Sequence, residues 1–136
     1  MTADQARDEM LAVFKAAWDA TAAASNVGYP DKPFNPPANA AWARVSLRHA
    51  NGRQSSLAGA MGTKRYTQTG TLWVQVFAPV GDGMVTAYGL AQAVVNAYRT
   101  ARGTVWYRNT RMQEVGSSGA FEQINVLTDF TYDDTR

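Results

Sequence analysis

The run at 71–78, Thr-Leu-Trp-Val-Gln-Val-Phe-Ala, limits the fold more than any other stretch of the chain. Its side chains alternate, with Leu72, Val74 and Val76 on one face and Trp73, Gln75 and Phe77 on the other. Both faces carry apolar bulk, and a strand covered on both faces is central in its sheet or sits at a subunit contact. Pro79 ends the strand, and Gly81-Asp82-Gly83 makes a turn in which Asp82 is the expected cap of a following helix. That helix is expected from about Met84 to Arg99, burying Ala87, Leu90, Ala91, Val94 and Tyr98 with Val95 beside them. Arg99 and Arg102 suit its C-terminal end, and Gly103 is expected as the residue that closes it.

On the N-terminal side a second helical period appears. Thr2 and Gln5 have capping-box spacing, and Ala6, Met10, Val13, Phe14, Ala17 and Trp18 recur on one broad face. The alanines at 20–24 extend the expected helix until Ser25-Asn26-Val27-Gly28 stops it. Four prolines at 30, 33, 36 and 37 make residues 29–40 a surface connector, too short and, at Tyr29 and Phe34, too aromatic for a domain linker. From Ala41 the period is two, with Ala43, Val45 and Leu47 inward and Arg44, Ser46 and Arg48 outward. Residues 51–69 read as a long mobile loop or the tip of an extended hairpin. A strand from Val105, bent at Asn109, runs to Val115, and a hairpin turn at 116–119 returns a long strand from Phe121 to Tyr132. The order predicts an α+β fold: a mainly antiparallel sheet with two helices packed on one face, and a long hairpin or loop between the first two strands. No internal repeat is visible, and residues 1–136 are expected to form a single domain.

Composition removes several function classes. With 46% hydrophobic and 18% charged residues the chain is globular, not disordered. It has no cysteine, so neither a disulfide framework nor a thiolate metal site can form, which suits a reducing compartment. A net charge of +2 is too small to argue for nucleic acid by itself. Asp4, Arg7, Asp8 and Glu9 stand where a signal peptide needs a basic start and an apolar run. No apolar stretch approaches the roughly 18 residues that span a bilayer, so no membrane partner is expected.

Catalytic and cofactor chemistry finds little support. His49 is the only histidine, and spacing suggests no partner for it, so it reads as an exposed strand-end residue. If Gly116 faces Gly119 across the turn, Glu114 and Glu122 lie on opposite faces of the sheet, a poor arrangement for acid–base work. Asp129, Asp133 and Asp134 offer oxygen ligands to a hard cation, but a solvated tail is the preferred reading. Gly81-Asp82-Gly83 lacks the lysine of a phosphate loop and the dinucleotide spacing. No enzyme activity, cofactor or metal is therefore expected. Arg44, Arg48, Arg53, Lys64 and Arg65, with Trp42 and Tyr66, can serve a nucleic-acid face or a contact with an acidic protein partner; the interleaved Ser, Thr and Gln favour the protein.

Two segments, GTLWVQVFAPVGDGMVTAYGLAQAVVNAYR and VWYRNTRMQEVGSSGAFEQINVLTDFTYDD, carry an ordered pattern. It comprises Gly70, Phe77, Pro79, Gly81, Gly83, Tyr98, Arg99, Glu114, Val115, Gly116, Asn125, Val126, Phe130, Tyr132 and Asp133. This set resembles the tail-terminator (tail-completion) proteins of long-tailed bacteriophages, with Asp129 where that family carries proline before the closing Phe130. The resemblance implies a structural virion protein: a homo-hexameric ring at the tail–neck junction, assembled in the host cytoplasm. Its implied partners are itself, the tail tube protein and the head–tail connector, with DNA only as cargo passing through. Trp42, Arg44, Trp73, Gln75 and Phe77 are the expected ring contacts, and Arg53, Lys64 and Arg65 the expected docking residues. The alternatives are a head–tail connector subunit and a nucleic-acid-binding α+β domain.

Overall fold

Thr2 opens the first helix, α1 (Ala3–Trp18), through a complete capping box: its hydroxyl accepts from the Gln5 amide, and the Gln5 side chain accepts from the Thr2 amide. Such caps contribute about 0.5–2 kcal/mol. The computed structural model describes residues 1–30, 32–56, 62, 64–81 and 84–135. Ala6, Met10, Phe14 and Trp18 are the buried stripe of α1. The helix does not continue through the alanines at 20–24. Thr21 turns its amide and hydroxyl onto the Trp18 carbonyl, and the Trp18 indole N–H donates to Ala23 O at 2.8 Å, folding the chain back. Helix propensity loses here to local side-chain capture of backbone groups.

Six further elements follow: β1 (Val27–Gly28), β2 (Trp42–Gln54), β3 (Arg65–Pro79), α2 (Val85–Thr100), β4 (Trp106–Ser118) and β5 (Phe121–Thr135). The sheet order is β1-β2-β3-β5-β4, antiparallel throughout except for the short parallel β1–β2 pair. The architecture is α+β, with a mostly antiparallel sheet and two helices. Ala43, Val45, Leu72, Val74, Val76, Ile124, Val126 and Phe130 face the helices and form one core cluster with the stripes of α1 and α2. Tyr98 locks the two helices together, its hydroxyl donating to Met10 O at 2.9 Å. Glu9 ties α1 to the segment before β4, accepting from the amides of Thr104 and Val105.

The ladder reaches well into the stretch at 51–69, pairing Asn51 with Thr69 and Gln54 with Tyr66. Residues 57–61 and 63 of that stretch lie outside the described residues. The strand β2 carries an irregularity between His49 and Asn51, and β4 carries two, at Arg108/Arg111 and Glu114/Gly116. Asn109 takes a φ of 58° within the first of these β4 bulges, where the bend was expected. The N-cap position of α2 is Met84, at φ 70°, and Asp82, the expected cap, lies outside the described residues. Gly103 does not close α2 either: Ala101 is already extended, and Gly103 leaves room for the Glu9 carboxylate, which a Cβ there would meet at 3.0 Å.

Candidate interaction surface

The helices cover one face of the sheet. On the other face, the period-two pattern of β2 and β3 brings the expected contact residues together. Trp42 pairs with Phe77, Arg44 with Gln75 and Ser46 with Trp73. The Trp42 and Phe77 rings stack at 4.0 Å and 10°, with Phe34 tilted against Trp42 at 5.8 Å and Phe121 edge-on at 6.2 Å. The Arg44 guanidinium lies 5.4 Å from the Trp42 ring centre, within cation–π reach. These neighbours bury Trp42 and leave its indole N–H with no hydrogen-bond partner among the described residues. Phe34 and Phe121 were not expected here. Phe34 had a signal, an aromatic inside a proline-rich connector, while Phe121 is brought there by the pairing of β3 with β5, opposite Pro79, which the order of elements along the chain does not give.

Towards the far end of the same face the surface turns polar. Arg53 pairs with Thr67 and Arg65 with Thr135 along the ladder. Asp133 accepts from the Thr67 hydroxyl at 2.9 Å and pairs with Arg65 at 3.8 Å. Asp129 accepts from Thr71 and Asn109, both at 3.3 Å, and pairs with Arg111 at 3.6 Å. An open cleft of about 590 Å³ lies between Arg53 and Arg108, with Thr67, Thr69, Thr71 and Asp129 in its lining. Arg44, Arg48, Arg53 and Arg108 have no acidic partner among the described residues. Lys64 stands immediately before β3, next to Arg65.

Three readings of titratable groups change. His49 is exposed but partnered: its Nε2 lies 2.6 Å from the Tyr132 hydroxyl, with its ring edge-on to Phe130 and Tyr132. The Tyr132 phenol is pushed up by burial and by the nearby Asp134 charge. The turn register differs from the expected one, with Gly116 opposite Gln123 and Glu114 opposite Ile124. Glu114 and Glu122 therefore share the helix side of the sheet, yet each has its own partner: Tyr88 donates to Glu114 at 3.1 Å and Ser117 to Glu122 at 2.8 Å. The inserted residue at the Glu114/Gly116 bulge, with Gly116 at φ 105°, causes the difference. Nor do Asp129, Asp133 and Asp134 form a tail; β5 runs to Thr135 and all three sit in its ladder. No group of three His, Cys, Asp or Glu that could hold a metal occurs among the described residues.

The arrangement suits a broad protein contact: a rigid sheet face, an aromatic end and an arginine-rich end. A family model described as "Phage tail terminator protein" matches residues 9–124. It is the family that the ordered pattern from Gly70 to Asp133 resembles. No curated protein matches the chain significantly. Among the solved structures that are similar, one aligns at a TM-score of 0.68 and 20% identity, over 96% of this chain and 95% of its own. At that identity the likeness shows a shared fold alone.

Proposed function

The chain belongs to the phage tail terminator protein family, and from that premise we propose that it forms a homo-hexameric ring on the finished tail tube. It is a structural protein of the phage tail. The ring stops tube growth on one side and meets the head–tail connector on the other, which sites it at the tail–neck junction of the virion after assembly in the host cytoplasm. It does this without enzyme activity; DNA passes through as cargo. The observation that carries the reading is the sheet face that the helices leave open, where Arg44, Trp73, Gln75 and Phe77 lie on neighbouring rungs of β2 and β3 above the buried Trp42. Subunits of a closed ring meet through heterologous contacts, one patch against a different patch. An uncovered sheet face and two largely unpaired edges, β4 and the outer side of β2, supply such patches. Arg53, Lys64 and Arg65 dock onto the tube or across to a neighbour.

The test is tail length by negative-stain electron microscopy after disrupting the gene in the parent phage. Overlong tails without heads are expected, because an uncapped tube keeps polymerising. Tails of normal length that fail to join heads would replace this reading with a head–tail connector subunit.

A further inference from the structure

Five large hydrophobic side chains are exposed among the described residues, and four of them gather at one end of the molecule: Val80 (46% exposed), Val85 (72%), Tyr88 (42%) and Val115 (52%). Hydrogen bonds tie them into one locality. The Val80 amide donates to Ala120 O in the β4–β5 turn, and the Tyr88 hydroxyl donates to Glu114, the neighbour of Val115. Val85 lies one turn of α2 from Tyr88. Gly89 follows it, with nothing within 4 Å of where a Cβ would stand. A glycine inside a helix costs about 1 kcal/mol against alanine. This one offers no packing in return within the subunit, but it lets a partner's backbone approach. Glu114 and Glu122 supply negative charge on the same side. Contiguous exposed apolar surface rimmed by polar groups marks a contact site.

The opposite end of the sheet has the complementary character. There Arg53, opposite Thr67, lies diagonally across the ladder from Arg65, with Lys64 next to Arg65 in the chain, and Asp133 and Asp134 pair with Arg65 and with the N-terminal amine. The strand β5 connects the two ends, with Glu122 opposite Ala78 and Thr135 opposite Arg65. At roughly 3.3 Å per residue this separates them by about 40 Å, so the two patches cannot meet within one subunit. A heterologous contact needs two such unlike surfaces on one chain.

We infer that the apolar patch of Val80, Val85, Tyr88 and Val115, rimmed by Glu114 and Glu122, receives the basic residues Arg53 and Lys64, at the end of β2 and the start of β3, of a second copy of this chain. The inference rests on the ring reading and assigns Arg53 and Lys64 to the neighbour, not to the tube. Its occupant follows from charge complementarity between the two ends and from their separation within the subunit.

A zero-length carbodiimide cross-link tests it on purified tails assembled with mixed light and heavy isotope-labelled protein. The expected product joins Lys64 of one copy to Glu114 or Glu122 of another. Complementation of the gene-disrupted phage supplies the second measurement. Glu114→Arg/Glu122→Arg and Arg53→Glu/Lys64→Glu should each lower infectious particles at least a hundredfold, since like charges then face each other. Supplying both variants together should restore infection, because an even-numbered ring can alternate them so that every contact is complementary; a chain with all four changes should restore it too. Copies cross-linked only at other residues, or no restoration by the pair, would overturn this inference and leave the ring reading standing. An absence of links from Lys64 to Glu114 or Glu122 would likewise overturn this inference alone, whereas tails of normal length after gene disruption would sink the ring reading itself.

Discussion

Gly70 sits where β2 and β5 both press on β3, opposite His49 and Phe130. A Cβ added there would stand 2.2 Å from Arg48 O, 2.5 Å from the Phe130 ring and 2.9 Å from His49 Cα. Two of these three are backbone atoms of β2, so no side-chain rotation relieves them. Reaching ordinary van der Waals separation needs a shift of about 1 Å in a strand held on both sides of the bulge. Overpacking of a well-packed site costs about 1–3 kcal/mol, and the backbone contacts put Gly70→Ala at the upper end, about 3 kcal/mol. For a domain of this size that lowers Tm by about 10 °C. Thermal unfolding followed by circular dichroism measures it. Gly70→Ala/Phe130→Leu separates the causes: shrinking the ring removes one contact but neither backbone overlap, so stability should stay low. A Tm within 2 °C of the parent, or full recovery in the double variant, would refute the argument that β2 backbone blocks the site.

Glu9→Ala leaves the buried Val105 amide and the Thr104 amide without their acceptor, and should cost about 1–3 kcal/mol in urea unfolding, whereas Glu9→Gln should recover part of the loss. Burial pushes the Tyr98 and Tyr107 phenols up, Tyr98 well above its usual value. The folded state thus holds protons that the unfolded state has released above about pH 10, so stability is fully present below pH 10 and falls as pH rises past it. Absorbance titration at 295 nm should show these two tyrosines ionising only with unfolding; smooth ionisation of every tyrosine in the folded protein would contradict this. Arg44→Ala, Trp73→Ala and Gln75→Ala lie on the uncovered face, and the triple variant should fold and yet give overlong tails in complementation. Normal tails from a well-folded triple variant would remove these residues from the ring contact.

Periodicity made most of the fold legible. The alternation through Leu72, Val74 and Val76, and the 3.6-residue stripe through Ala87, Leu90, Ala91 and Val94, are dictated by burial, and both fall where they were read. Element ends were less legible because single side chains decide them. Thr21 and the Trp18 indole end α1 by capturing carbonyls, which alanine content at 20–24 cannot reveal. The hairpin register also escaped, since an inserted residue at Val115 moves Glu114 by the width of the bulge. Trp42, Arg44, Trp73, Gln75 and Phe77 share a face because strand parity alone fixes it. The patch of Val80, Val85, Tyr88 and Val115 was invisible for the opposite reason: its members come from a loop, a helix and a bulge, and no period links them.

The near-neutral net charge conceals a segregation that the fold creates. Arg44, Arg48, Arg53, Arg65, Arg108 and Arg111 lie on the face the helices leave open, with only Asp129 and Asp133 among them in the described strands, while Glu114 and Glu122 point to the helix side. A chain with so small a net charge gains little from long-range attraction to DNA, whereas the inferred contact would set its two unlike ends against each other on neighbouring copies. The ladders of β2, β3 and β5 join those ends, so the angle between them is set by sheet twist and by the bulge between His49 and Asn51, not by a linker. That is what closure requires. A heterologous contact makes a ring only if every subunit turns the next by the same angle, and otherwise propagates as an open filament. In the proposed ring, both halves of the contact are therefore carried on one sheet, whose hydrogen-bonded ladders hold them at a fixed angle.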